Sequence, residues 1–334
     1  MKIDEVKNYL QEQNIPSFRL KQILEAYFKQ GLSSFEEISS LPAPLRSELS
    51  KKFSWFSLKP EKLLGKRKEG AVKALLSLED GLKTESVLMF YRDWITACVS
   101  VMVGCPLGCE FCATGQMGFK RNLFDYEIVE QIVYWNNFLK KTGERIKKIV
   151  FMGMGEPFLN WDNTYSAIKT INSKEGLEIG QRNITISTAG LPDKIKEFAD
   201  LDTQINLAVS LHSPFQEKRE EIMPIAKTYP LEELFEACKY YVKKTNRKLF
   251  FEYALINGIN NRKEDALEIL KLFKSHLFHL NLINLNPTRS KYSSALQRNI
   301  AEFERLLNQN HVPYTLRRSV GTDIKAACGQ LANQ

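Results

Sequence analysis

Cysteine and histidine are scarce in this chain, with 6 and 4 copies in 334 residues. So few cysteines cannot build a disulfide scaffold, and the opening MKIDEVKNYL is polar and helical rather than a targeting segment, so the thiols are expected to stay reduced. The histidines stand at 212, 276, 279 and 311, away from the one cluster of cysteines, which removes the usual partners of a structural zinc site there. No stretch approaches the roughly eighteen consecutive apolar residues of a membrane-spanning helix. Acidic residues are also in deficit, 39 against 47 basic ones, for a net charge of +8.

What is present describes an ordinary globular chain, 43% hydrophobic, long enough for one large domain with a smaller attachment. The basic excess comes in bursts: Lys66, Arg67 and Lys68; Lys147 and Lys148; Lys243, Lys244, Arg247 and Lys248; Arg317 and Arg318. Each alone reads as a solvated face, but together they favour a polyanionic partner such as nucleic acid. In the N-terminal stretch Val6, Tyr9 and Leu10 form one helical apolar stripe and Leu20, Ile23, Leu24 and Phe28 another. KALLSLEDGLKTESVLMFY places apolar runs either side of Asp80-Gly81, a turn dipeptide, and predicts a β-hairpin. Beyond residue 95 short β-rich runs alternate with amphipathic stretches, which predicts parallel β/α units. The expected strands cover 95–103, 147–153, 183–188, 204–212, 248–255 and 279–286, and the expected fold is α/β, an open, partial (β/α)6 barrel. The expected division is a helical module over 1–58, a β-hairpin extension over 59–94, the barrel over 95–318 and a C-terminal tail over 319–334.

Cys105, Cys109 and Cys112 lie as C-x3-C-x2-C in GCPLGCEFCATG, directly after the first barrel strand, where the loops of such barrels carry chemistry. Three thiolates can hold three irons of a four-iron cluster and leave the fourth open, whereas structural zinc wants four protein ligands. The spacing resembles the radical-SAM superfamily, in which S-adenosylmethionine (SAM) chelates the open iron. The second strand ends in Gly153-Met154-Gly155-Glu156-Pro157, where glycines permit close backbone approach and a carboxylate edge suits the SAM ammonium. Ser187-Thr188, Ser210-Leu211-His212 and Asn286-Pro287 end other strands on the same rim, with groups suited to ribose or carboxylate oxygens. Cys98 lies in the first strand, Cys328 in a small-residue tail, and Cys238 reads as a buried apolar side chain.

Over nearly its whole length the chain resembles the bacterial dual-specificity carbon-2 methyltransferases of adenosine in 23S rRNA and tRNA. The matching stretches are FRLKQILEAYFKQ, ACVSVMVGCPLGCEFCATGQMGFKRNL, VFMGMGEPFLN, ISTAG, VSLHSP, FEYALINGINN and GTDIKAACGQL. The resemblance implies one [4Fe-4S] cluster on Cys105, Cys109 and Cys112, and two SAM molecules per turnover. It implies that Cys328 carries the methyl group, that Cys98 releases the product through a transient disulfide, and that Glu85 takes the carbon-2 proton. It implies SAM contacts from Gly155, Glu156, Ser187, Ser210, Leu211, His212 and Asn286. It further implies RNA binding by the N-terminal module, an external flavodoxin-type electron donor, a cytoplasmic location, no membrane association and, by default, a monomer. NPTRSKYSS and the HSP of VSLHSP resemble the related carbon-8 enzymes, whereas GEP and FEYALING lean toward carbon 2, so carbon-8 methylation stays open as the alternative.

Overall fold

The computed structural model describes residues 1–274 and 276–333. Three helices lead, α1 (Ile3–Glu12), α2 (Phe18–Phe28) and α3 (Ala43–Lys52). They bury Val6, Tyr9 and Leu10 from α1 as expected, and Ile23, Leu24 and Phe28 from α2, while Leu20 of the expected stripe is half-buried. Proline at the start of α3 costs no hydrogen bond, because first-turn N–H groups have no helical partner.

Strands β1 (Lys59–Lys66), β2 (Ala71–Ser77) and β3 (Lys83–Phe90) follow as an antiparallel set. The Asp80-Gly81 turn joins β2 to β3 as the sequence predicts, with Gly81 at φ 80 and Leu82 N–H donating to Asp80 Oδ1. β1, in which a run of exposed residues obscures the pattern, adds a third strand to the expected hairpin. β4 (Ile95–Cys98) runs antiparallel to β3, with Val87 opposite Cys98.

The first barrel strand does not run unbroken from 95 to 103. After Cys98 the chain leaves the main sheet, Ser100 Oγ donates to the Glu85 carbonyl at 2.6 Å, and β5 (Met102–Gly104) pairs instead with β6 (Phe119–Asn122). That small ribbon closes the base of the cysteine loop. Gly104 is needed there: at φ 76, a Cβ would lie 1.8 Å from the Gly118 carbonyl oxygen.

Helix α4 (Ala113–Gln116) follows the last cysteine of the triplet. Then come α5 (Asp125–Leu139), β7 (Lys148–Phe151), α6 (Trp161–Asn172), β8 (Ile184–Thr188), α7 (Pro192–Asp200), β9 (Asn206–Ser210), α8 (Gln216–Ile222), α9 (Leu231–Thr245), β10 (Leu249–Leu255), α10 (Lys263–Phe273), β11 (Phe278–Asn284), α11 (Gln297–Gln309) and β12 (Tyr314–Arg317). The sheet order is β1-β2-β3-β4-β7-β8-β9-β10-β11-β12, parallel from β4 onward and open at both ends. The parallel part therefore has seven strands rather than the six expected. The seventh, β12, is a four-residue edge strand whose exposed residues give it no apolar signature.

Helices cover the outer face, so β4, β9, β10 and β11 are buried almost throughout, whereas burial alternates along β7 and β8. Helix α9 shows the local logic. Leu231, Leu234, Phe235, Cys238 and Tyr241 fall at helical spacing and are buried, Glu232 and Glu233 sit at its positive end, Lys243 and Lys244 at its negative end, and Asn246 stops it at φ 51. The leading helices dock on α5 through Glu130, a buried carboxylate that accepts from Ser57 N at 2.9 Å, Ser57 Oγ at 2.6 Å and Leu58 N at 2.9 Å, and ion-pairs with the Met1 amine.

Candidate active site

On the rim formed by the strand C-termini lies a cleft of about 970 Å³, open mouth included. Cys105, Cys109 and Cys112 form one wall. Gly155 and Glu156 contribute from the β7 loop, Ser187 and Ser210 from the ends of β8 and β9, and His212 and Asn286 from the loops after β9 and β11. Cys328 closes it from the C-terminal tail. Ten of the expected site residues thus line a single space, and three do not: Leu211, Cys98 and Glu85.

Each position has a local cause. Glu156 is only 3% exposed, and its carboxylate accepts from Phe158 N at 3.0 Å and Ala189 N at 2.7 Å, tying the β7 loop to the β8 loop. Burial raises it to about 7 against the pull of those two N–H donors. The glycines before it serve packing: a Cβ on Gly153 would come within 2.7 Å of the Val99 carbonyl, and one on Gly155 within 2.6 Å of Met102. Their freedom admits the chain crossing beneath the loop, a reason the sequence pattern alone did not supply.

His212 sits at φ 52, places its ring edge-on to Phe111 at 4.9 Å and accepts from Ala254 N through Nδ1 at 2.9 Å. Burial lowers it to about 3, helped by the Arg219 charge, so it is a neutral ring in the wall. Leu211 turns its side chain into the core and contributes backbone, its N–H donating to the Glu252 carbonyl at 3.0 Å. Asn286 Nδ2 donates to the Cys328 carbonyl at 3.1 Å and so holds the tail in place. Ala113 N–H donates to Gly329 O at 2.8 Å, and Thr114 Oγ1 to Leu331 O at 2.7 Å, fastening the tail to the cysteine loop.

Cys328 is exposed by area because it fronts the open cleft, although protein surrounds it on its other sides. Cys98 lies behind it at 8% exposure, in the apolar cluster with Val87, Met154 and Ala326. Burial pushes both thiols up; the nearby Cys328 adds to the rise at Cys98, and the Arg317 charge opposes it at both. Burial likewise raises Cys105, to about 12, and Cys109, with Cys112 adding to both.

Glu85 is fully buried on the β3 face beneath the tail. It pairs with Lys73 Nζ at 2.9 Å and accepts from Ala332 N at 2.9 Å, while Lys73 also donates to Lys325 O at 3.0 Å. Lys73 faces Val87 in the β2–β3 register and Leu75 faces Glu85, so the pair is a diagonal cross-strand one.

Sequence reading missed Arg219 and Glu252, in or beside the cleft, and Lys73 beneath the tail. Arg219, in the charged run QEKREEI, is fully buried and donates to the carbonyls of Ala189 at 2.6 Å, Ser210 at 3.2 Å and Leu211 at 3.2 Å, lacing together the ends of β8 and β9. Glu252 lines the cleft floor, held by Asn281 Nδ2 at 2.9 Å and facing Arg317 at 3.5 Å. The usable signal for Glu252 and Lys73 was a charge inside an apolar strand run.

A radical SAM superfamily profile matches residues 99–273. A "Probable dual-specificity RNA methyltransferase RlmN" of Clostridioides difficile (strain 630) is 41% identical, covering 98% of this chain and 95% of its own. The chain belongs to the dual-specificity RNA methyltransferases of the radical SAM superfamily. A relative of the same name from Lysinibacillus sphaericus (strain C3-41) is 43% identical over 99% of this chain and 87% of its own. The crystal structure of a radical SAM methyltransferase from Sphaerobacter thermophilus superposes with a TM-score of 0.96 at 38% identity, covering 100% of this chain and 98% of that one.

This radical SAM RNA methyltransferase therefore uses an iron–sulfur cluster and SAM. Its residues fit both. Among the described residues no three Cys, His, Asp or Glu side chains converge as the ligands of one metal ion, whereas a cluster takes one thiolate per iron from a spread set. The buried Glu156 carboxylate, without a cation partner among the described residues, faces the space where a ligand's positive group would lie. Among the described residues no helix is long and apolar enough to cross a membrane.

Proposed function

We propose that this enzyme methylates carbon 2 of an adenosine in 23S rRNA and in tRNA, using Cys328 as the methyl carrier. The observation that carries the reading is the position of Cys328: a residue from the distant tail stands in the same cleft as the cysteine triplet, with Cys98 near enough to feel its charge. Carbon 2 of adenine lies between two ring nitrogens and is electron-poor, so it does not displace a methyl group from SAM directly. A carrier thiol solves this in two stages.

In the first stage the Cys328 thiolate takes a methyl group from one SAM. Cys105, Cys109 and Cys112 would hold the cluster, which with a second SAM would supply one-electron chemistry at that S-methyl group. Glu156 orients the SAM ammonium, Ser187, Ser210 and Asn286 its oxygens, and neutral His212 with Phe111 keeps water from the wall. The carbon carried by Cys328 then joins the base, and Glu85 takes the carbon-2 proton once Ala332 N–H releases its carboxylate. Cys98 attacks the sulfur of Cys328, which frees the methylated base and leaves a disulfide that a reductant must open.

The target adenosine enters unpaired, because a base inside a duplex cannot reach such a cleft. The helical module over residues 1–58 and the basic bursts hold the RNA backbone, and a flavodoxin-type protein supplies electrons to the cytoplasmic, monomeric enzyme. The test is nucleoside analysis of a 23S rRNA fragment and of tRNA after reaction with anaerobically reconstituted protein. 2-Methyladenosine from both supports the reading. 8-Methyladenosine, or no methylated adenosine, contradicts it.

A further inference from the structure

A second cavity of about 1120 Å³, open mouth included, lies against the outside of the cysteine-loop wall. The wall between the two spaces is one backbone thick at three places. Cys112 and Thr114 line the first cleft while Ala113 and Gln116 line the second. Asn286 lines the first and Pro287 the second, and Gly329 the first and Gln330 the second. Successive Cα atoms are about 3.8 Å apart, so a ligand leaving the first cleft over this rim enters the second within one residue's length.

The two spaces differ in chemistry. The first is mainly apolar and lined by thiols, carboxylates and small groups. The second carries Arg289 and Lys325 and no acidic residue. Its polar amides and hydroxyl are already used in building the wall: Gln330 Nε2 donates to Pro287 O at 2.8 Å, Gln116 Nε2 to Glu110 O at 2.7 Å and Thr288 Oγ1 to Phe111 O at 3.3 Å. Arg289 is exposed and makes no hydrogen bond or ion pair among the described residues.

We propose that the second cavity is a phosphate subsite for the substrate strand. It would take the phosphodiester next to the target adenosine, with Arg289 on the phosphate oxygens and Met117 and Pro287 against the adjoining sugar. The inference rests on the RNA-methyltransferase reading and adds to it where the strand runs. A planar guanidinium suits a phosphate because it offers two parallel donors. A small-molecule substrate would fill the first cleft and leave this cationic space idle, whereas a polynucleotide must place a charge within one nucleotide of the reacting base.

The test compares wild type, Arg289→Ala, Arg289→Lys and Arg289→Glu in RNA binding, by fluorescence anisotropy of a labelled tRNA stem-loop. Iron content and SAM affinity serve as controls for folding. Arg289→Ala is expected to weaken RNA binding about fivefold to tenfold at low salt and to reduce the salt slope by about one counterion. Arg289→Lys should recover part of the loss, and Arg289→Glu should weaken binding further. A methylphosphonate at the phosphate adjoining the adenosine should weaken wild type by a similar factor and leave Arg289→Ala unchanged, since the pair would already be broken. Wild-type affinity and salt slope in both Arg289→Ala and Arg289→Glu, or equal sensitivity of wild type and Arg289→Ala to the methylphosphonate, would overturn the subsite alone. A wild-type protein that does not bind the stem-loop overturns both the subsite and the reading beneath it.

Discussion

Glu85 beneath the tail and Glu156 in the cleft are both buried, yet their surroundings treat the charge in opposite ways. Glu85 has Lys73 at 2.9 Å, inside a strand face sealed by residues 326–332. Glu156 has no cation among the described residues, only the N–H groups of Phe158 and Ala189 and the Thr188 hydroxyl, and burial pushes its ionisation up to about 7. The tail side of the molecule is thus electrically closed and covered by a segment held through hydrogen bonds to the cysteine loop. The cleft side holds a carboxylate whose full charge awaits a cationic ligand. A desolvated carboxylate with a partner is a fastening, and one without a partner is a receptor for a partner yet to bind.

The strongest challenge to this contrast is Cys98→Ala, which removes the thiol on the covered side and leaves the cleft intact. Turnover should fall by about three orders of magnitude or more, while a covalent RNA–protein species accumulates on denaturing gels. Turnover near wild type would detach Cys98 from the reaction. Next comes Lys73→Met, which removes the cation 2.9 Å from Glu85 under the tail. Stability should fall by about 3–5 kcal/mol in denaturant unfolding, and Lys73→Met with Glu85→Leu together should recover most of it without restoring methylation.

Glu156 predicts a pH effect of opposite origin. Its folded-state value near 7 lies above its ordinary value of 4.5, so between those limits the folded chain keeps a proton that the unfolded chain has released. The contribution is complete below pH 4.5 and is lost as the pH rises through about 7, amounting to roughly 3 kcal/mol. Melting of the cluster-free protein between pH 5 and 8 should show this decline, and Glu156→Gln should flatten it. An unchanged slope in the variant would place the titration elsewhere. The smallest effect concerns the remote helices: Lys51→Ala with Lys52→Ala should weaken RNA binding about twofold to threefold at low salt and leave SAM binding alone.

Much of the fold beneath this contrast was legible in the sequence, and the exceptions have a common cause. Short-range patterns carried the helix stripes of α1 and α2, the Asp80-Gly81 turn, and five of the parallel strands, because apolar periodicity and turn chemistry are local. The cysteine loop stood out because its spacing is also local. β1 and β12 lie at the sheet edges, where partial solvation dilutes the apolar signal, and the break after Cys98 depends on Ser100 reaching the Glu85 carbonyl. The burial of Glu85, Glu130 and Arg219 was not legible, since each is enclosed by partners distant in sequence. Arg219 illustrates this best, sitting in QEKREEI as one charge among several while threading the carbonyls at the ends of two strands.

The central claim is that the tail thiol stands in the cleft to carry a carbon unit. Its most direct test is peptide mass spectrometry of protein incubated with SAM and a one-electron reductant. The account predicts one added methyl group on the peptide containing Cys328, absent in Cys328→Ala, whose RNA adenosines stay unmethylated. An unmodified Cys328 in protein that nevertheless methylates RNA would contradict it.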